Sequence, residues 1–274
     1  MHKVASALTI AGTDPSGGAG IQADLKVFQE QEVYGMSVIT SVVAQNTLGV
    51  QDVQHLSIDF IEKQLDAVLT DIPPQAMKTG MIATVDMMEL IAKKLANTDI
   101  PYVIDPVMVA KSGDSLMDEK SRQVIRNTLI PHATVVTPNV PEAEILVGFE
   151  IHDNQDAEKA AKVIVNDLGA KAAVVKGGHL EGAAVDVLYD GEDFYYLKAD
   201  RFETKHTHGT GCTFSAAITA ELAKGKQIKD AVVIGKDFIT DAIQYPLELG
   251  NGHGPTNHWG YRLKSLPGQR EVSK

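Results

Sequence analysis

The sequence has a single cysteine, Cys212, among 274 residues. One thiol permits no internal disulfide, so packing must hold the fold, and the count fits a reducing cytosol. Basic residues are also scarce, with 25 Lys and Arg against 36 Asp and Glu and a net charge of -11. That sign excludes a general binder of nucleic acid or of anionic membranes. An anionic ligand would have to be held locally, by backbone dipoles, a few lysines and metal ions. No apolar run is long enough to span a bilayer. The run 4–10 passes into Ala11-Gly12-Thr13-Asp14-Pro15 without the small-residue cleavage pattern of a signal peptide. Linkers, repeats and low-complexity segments are missing, as are the GxGxxG fingerprint and the P-loop.

What is present is an ordinary globular composition, 44% hydrophobic and 22% charged, which excludes a disordered chain. The length, with no linker, predicts one α/β domain over 1–274. Residues 4–10 read as a buried strand, 12–20 as a glycine-rich loop and 21–31 as a helix. Strand, glycine loop and helix begin a doubly wound fold, in which ligands sit beyond the carboxyl ends of the strands. Further strands are predicted at 36–44, 75–78, 102–104, 133–137 and 172–175, and helices at 59–70, 85–95, 155–168 and 228–243. Two short runs, 185–189 and 194–197, flank the turn at Asp190-Gly191 and predict an antiparallel hairpin at the sheet edge.

The candidate chemistry lies at the ends of these elements. His206-Thr207-His208-Gly209-Thr210-Gly211-Cys212-Thr213 runs straight into an amphipathic helix, with Cys212 and Thr213 in its first turn. Free N–H groups and the helix dipole there attract an anion, Gly209 and Gly211 remove the Cβ atoms in its way, and the same field is expected to favour a Cys212 thiolate. A tight turn carrying a small buried cysteine is the competing reading. Gln45-Asn46-Thr47 at a strand end offers amide edges to a heterocycle, or is simply a turn. Asp105 stands at the end of strand 102–104, placed for a metal-phosphate site, and 110–116 reads as a flap. In Asn139-Val140-Pro141-Glu142 the proline suits a first helical turn, so Asn139 is a cap and both side chains can share a magnesium ion. Lys176, before Gly177 and Gly178, can meet a phosphate as a point charge. Asp24, one turn into its helix, reads by position as solvated rather than pocket-facing. His253 and His258 read as surface or packing residues.

Taken together, Ala11 to Lys26, Ala44-Gln45-Asn46-Thr47, Lys111-Ser112-Gly113-Asp114, Thr137-Pro138-Asn139-Val140-Pro141-Glu142, Lys176-Gly177-Gly178-His179 and His208-Gly209-Thr210-Gly211-Cys212-Thr213 resemble the ribokinase-like superfamily. More narrowly they are similar to the hydroxymethylpyrimidine/phosphomethylpyrimidine kinases of thiamin biosynthesis, nearly end to end and including Gly254-Pro255-Thr256-Asn257-His258. The resemblance implies a central, mostly parallel sheet with helices on both faces, and two successive phosphorylations from ATP with Mg2+, in a cytoplasmic homodimer; a K+ requirement stays open. It implies that Gly12, Asp24, Gln45, Met81 and Val107 hold the pyrimidine. Asp105, Asn139 and Glu142 would serve the magnesium ion, partly through water, and Lys176, Gly177 and Gly178 the nucleotide. Gly209, Thr210 and Gly211 would form the anion hole. The wider superfamily carries an aspartate base where this chain has Cys212, whereas the pyrimidine kinases and related pyridoxal kinases carry cysteine.

Pyridoxal phosphorylation, as main or side activity, therefore remains the nearest alternative, with Gln45-Asn46-Thr47 tilting the choice towards the pyrimidine. A nucleotide-binding regulator without catalysis is disfavoured by the joint presence of Lys176, Asn139, Glu142 and Cys212. A cysteine hydrolase needs an oriented histidine, which His206 and His208 do not establish by adjacency.

Overall fold

Large and small apolar residues alternate along the first strand, and that alternation decides what each face of the sheet can accept. The computed structural model describes residues 4–108, 119–179 and 184–263. In chain order the elements are β1 (Ser6–Ala11), α1 (Gly20–Glu30), β2 (Tyr34–Ile39), β3 (Ser41–Asn46), β4 (Gly49–His55), α2 (Ile58–Asp71), β5 (Ala76–Thr79), α3 (Val85–Leu95), β6 (Tyr102–Ile104), α4 (Glu119–Val124) and β7 (Val135–Val136). There follow α5 (Val140–Val147), α6 (Asn154–Asn166), β8 (Ala173–Val175), β9 (Ala184–Tyr189), β10 (Phe194–Ala199), α7 (Thr210–Ala223), α8 (Ile228–Gln244) and α9 (Gly260–Leu263).

Eight strands form one sheet in the order β10-β9-β8-β7-β6-β5-β1-β2. Pairing is parallel from β2 to β8 and antiparallel through β9 and β10, as the hairpin at Asp190-Gly191 predicts. Leu8, Ile10, Met77, Tyr102 and Ile104 face α2, α3, α5 and α6. Ala7, Ala76, Val103, Val135 and Val174 face α1, α7 and α8. Small residues on that second face let α7 lie close against the middle of the sheet. Every residue of α7 from Thr213 to Ala223 is buried. The helix expected to be amphipathic is thus covered on all sides, the place for a helix that is apolar all round.

The strand expected at 36–44 is two strands. The chain turns out of the sheet at Thr40, whose N–H bonds Ala11 O at 3.0 Å and whose carbonyl accepts from Leu56 N at 3.0 Å. β3 then pairs antiparallel with β4 in a separate ribbon. β4 is exposed at all seven positions, and its valines, Val50 and Val53, are three apart, so it lacks the two-residue rhythm that marks a strand.

Within the main sheet β1 lies between β2 and β5, so connections leave β1 in opposite directions and a crevice opens at the carboxyl ends of β1 and β5. Below it is a buried charge pair. Lys78 Nζ on β5 meets Asp24 Oδ1 on α1 at 2.7 Å with both side chains fully buried, and Thr9 Oγ1 donates to Asp24 Oδ2 at 2.6 Å. The solvated reading of Asp24 is corrected here. Asp24 stands three residues from both Ile21 and Val27, on the face that α1 buries.

Breaking such a pair strands a charge, whereas replacing both partners does not. Lys78→Met is expected to lower unfolding free energy by about 3–5 kcal/mol, and Asp24→Asn/Lys78→Met to recover most of it. Urea denaturation checks this, and a double variant as unstable as the single one would contradict it.

Candidate active site

The loop after β1 is built around one carboxylate. Asp14 Oδ1 accepts from Ser16 N (2.9 Å) and Ser16 Oγ (2.7 Å), and Oδ2 from Gly18 N (3.1 Å) and Ala19 N (2.7 Å). Its Oδ2 also meets His208 Nε2 at 2.8 Å, tying the loop to the turn before α7. Burial pushes the Asp14 carboxyl up, but hydrogen bonds from His208, Ser16 and Gln45 outweigh it and hold the group well below the usual carboxylate range. Gly209 adopts φ 79°, and a Cβ there would lie 1.7 Å from Gly18 O, so loop and turn meet backbone to backbone. The tail reinforces this corner. His208 bridges Pro255, and Thr213 Oγ1 contacts Thr256 Oγ1 and His258 Nε2, each at 3.2 Å. Burial and Lys26 push the His258 imidazole down to about 4, so it packs as a neutral ring.

The second half of the site gathers at β6, β7 and β8. Asp105 follows β6, and its Oδ1 accepts from Lys176 Nζ at 3.2 Å. A Cβ on Gly211 would sit 2.8 Å from Asp105 Oδ2, so the first turn of α7 lies directly against this carboxylate. Lys176 N bonds Pro138 O at 2.9 Å, which sets Lys176 beside Asn139. Asn139 caps α5: Oδ1 accepts from Glu142 N at 2.9 Å while Glu142 Oε2 accepts from Asn139 N at 2.8 Å. Burial, and then Asp105, push the Glu142 carboxyl up to about 7 against the opposing charge of Lys176. Burial disfavours the Lys176 ammonium, but Asp105 and Glu142 prevail and raise its pKa.

Cys212 lies where expected, in the first turn of α7 and partly exposed. Its protonation is not as expected. Burial pushes the thiol up to about 12, with Asp24 and Asp105 adding to the shift, and neither Lys78 nor the Gly20 N–H offsets them. The expectation of a thiolate at the helix start is therefore corrected: the cost of burying the charged sulfur is the largest influence, ahead of any nearby charge.

Of the residues implicated by sequence, Asp105, Lys176, Asn139, Glu142, Gly209, Gly211 and Cys212 form one chain of contacts and charge interactions, with Thr210 between the two glycines and Gly177 and Gly178 beside Lys176. Gly12 and Met81 face each other across the β1–β5 crevice, where a Cβ on Gly12 would lie 3.4 Å from Met81 Cε. Gln45 reaches Asp14 from the ribbon rather than from a loop at a strand end. Val107 is half-buried, in the turn closed by Val107 N to Asp105 O at 2.9 Å. Asp24 lies behind these residues in the Lys78 pair, closed to solvent. The flap 110–116 with Lys111-Ser112-Gly113-Asp114 lies outside the described residues. Sequence reasoning passed over Lys78, Asp186 and Lys236. A lysine inside the apolar strand Ala76–Thr79 was the signal for the first.

Among the described residues no group of three or more His, Cys, Asp or Glu is placed to hold a metal. Asp105 and Glu142 supply hard oxygen donors, while Asn139 is spent on its cap. Such an incomplete set suits Mg2+, which takes one or two carboxylates and completes its shell with water and substrate phosphates. No helix among the described residues is long and apolar enough to cross a membrane.

A mostly parallel sheet with an antiparallel edge, clad by helices and carrying a glycine turn at a central buried helix, defines a ribokinase-like small-molecule kinase. The phosphomethylpyrimidine kinase family profile matches residues 14–257, and the chain belongs to that family. It is 54% identical over 277 residues to the hydroxymethylpyrimidine/phosphomethylpyrimidine kinase of Staphylococcus aureus (strain MRSA252), covering 100% of both chains. Among solved structures it is similar to Bacillus subtilis pyridoxal kinase in an ADP complex, at 47% identity and a TM-score of 0.88 over 95% of this chain and 100% of that one. It is also similar to the phosphomethylpyrimidine kinase of Clostridium difficile 630, at 44% identity and a TM-score of 0.79 over 87% and 99%.

Two outcomes follow. Because Cys212 is the only cysteine, alkylation by iodoacetamide reads it alone, and its rate in the free protein is expected to climb through pH 10 without a plateau; a plateau near neutral pH would restore the thiolate. Glu142 has a folded-state pKa above its ordinary 4.5, so its contribution to stability is fully present below pH 4.5 and lost as pH rises through about 7. In metal-free buffer the Tm of Glu142→Gln relative to the unsubstituted protein is expected to rise between pH 5 and pH 8, and a constant difference would contradict the shift.

Proposed function

We propose that this chain transfers the terminal phosphoryl group of ATP to the hydroxymethyl group of 4-amino-5-hydroxymethyl-2-methylpyrimidine, and then to the resulting monophosphate. One domain over 1–274 would carry both steps, in a cytoplasmic homodimer. The observation that carries the reading is the junction of Asp105 with Lys176 on one side and Gly211 on the other. It sets a lysine and a helix start against one carboxylate. Full-length similarity to a kinase named for both pyrimidine substrates supports the choice of acceptor.

In this reading Gly12, Gln45, Met81 and Val107 meet the ring, with Asp24 supporting them from behind through Lys78. Lys176, Gly177 and Gly178 face the nucleotide phosphates, and the first turn of α7 at Gly209, Thr210 and Gly211 receives the charge that develops on transfer. Mg2+, with Asp105 and Glu142 as its protein donors and Asn139 acting through water, supplies charge neutralisation on the phosphates. The Cys212 thiol, protonated at rest, positions the reacting hydroxyl, and its sulfur accepts the hydroxyl proton only after releasing its own to solvent.

A second reading has a specific observation behind it, the similarity to a pyridoxal kinase over nearly the whole chain. Pyridoxal is then an alternative acceptor, and comparing kcat/KM for pyridoxal and for the pyrimidine alcohol ranks the two.

Mass spectrometry after incubation with the pyrimidine alcohol and Mg-ATP is expected to show two phosphates added; unmodified alcohol would refute the reading. In single-turnover experiments Cys212→Ala is expected to slow the first transfer more than the second, because a phosphate oxygen arrives already ionised. Equal losses would reduce Cys212 to positioning alone.

A further inference from the structure

A second buried charge pair lies behind the Lys176-Gly177-Gly178 turn, on residues that the reaction itself does not use. Asp186 on β9 points under the turn, and its Oδ1 accepts from Gly177 N at 3.0 Å. Its Oδ2 meets Lys236 Nζ of α8 at 2.7 Å, with only 11% of the lysine side chain and 7% of the aspartate exposed. Gly177 lies flat on the same strand, since a Cβ there would fall 1.9 Å from Val185 O. One residue earlier, Lys176 is held at its own backbone by Pro138 O and at its ammonium by Asp105.

The geometry points to Asp186 and Lys236 as positioning residues for the nucleotide phosphates: Asp186 anchors the Gly177 backbone, and Lys236 neutralises Asp186 so that the Lys176 charge stays directed at the phosphates. This rests on the proposed role of Lys176. Asp186 acts electrostatically on Lys176, as do Asp105 and Glu142. With Lys236 gone, a third uncompensated carboxylate would compete for the one ammonium. Stability alone gives no reason for the pair, because burying two charges is matched or bettered by apolar packing of the same volume. Its place beneath a phosphate-facing turn does give one. Asp186 is the only side chain among the described residues that receives the Gly177 N–H, and Lys236 reaches it from α8.

The test compares steady-state kinetics and Tm for the unsubstituted chain, Lys236→Met, Asp186→Asn/Lys236→Met and Lys176→Met, varying Mg-ATP at saturating pyrimidine alcohol and the reverse. Lys236→Met is expected to raise KM for ATP about 10-fold, the scale seen when a group that orients a ligand-binding residue is lost, while kcat and the pyrimidine KM stay near their starting values. The double variant is expected to recover most of the ATP KM, because asparagine still offers Oδ1 to Gly177 N and no charge is stranded. Should Lys236→Met fail to fold, the double variant measured against Lys176→Met carries the comparison. An unchanged ATP KM in Lys236→Met, equal rises in both KM values, or a double variant no better than the single one would overturn the relay. If Lys176→Met weakens ATP binding in those cases, the phosphate role of Lys176 stands and the relay alone fails; if it too leaves the ATP KM unchanged, the role of Lys176 itself is wrong.

Discussion

The contact on which the rest depends is the Asp14 carboxylate, which accepts from its own loop and from His208, 194 residues away in sequence. Four of its donors are in the 16–19 stretch, another arrives from the turn before α7, and Gln45 adds one from the ribbon. A carboxylate held far below its ordinary pKa by such donors is a fixed negative point at any physiological pH. It sets the separation between the loop that follows β1 and the start of α7. Gly209 and Gly18 then close the remaining space, which no side chain could share.

Around this staple the chemistry is distributed by charge. An acidic protein has gathered Asp24, Asp105, Glu142 and Asp186 at or behind one end of its sheet, and each is answered by a lysine, Lys78, Lys176 or Lys236. The lysines are fewer than the carboxylates, and that imbalance adds to burial, the larger cause, in keeping Cys212 protonated and lifting Glu142. A deficit of positive charge at a phosphate site is consistent with a reaction in which the cation arrives with the nucleotide rather than residing in a cage of protein ligands.

Much of this was legible before any coordinates. The strand–loop–helix start, the antiparallel edge at Asp190-Gly191, the cap at Asn139 and the start of α7 each follow from local signals: apolar rhythm, turn residues and a proline at the first helical turn. What escaped has physical reasons. The break at Thr40 is enforced by tertiary hydrogen bonds to Ala11 O and from Leu56 N, which no local pattern announces. β4 carries no alternation because it has no buried face. Cys212 was misjudged because the helix dipole is a local property, while the burial that chiefly opposes it comes from tertiary packing, with carboxylates on α1 and after β6 adding to it. Asp24 could have been placed correctly from its spacing to Ile21 and Val27.

The ribbon of β3 and β4 stands apart from the sheet, and its outer strand is exposed along its length. The start of α7 belongs to a helix buried from Thr213 to Ala223, whereas the ribbon that carries Gln45 presents an outer strand exposed at every position. Substitutions on that outer strand therefore disturb little of the packing that holds α7 against the sheet.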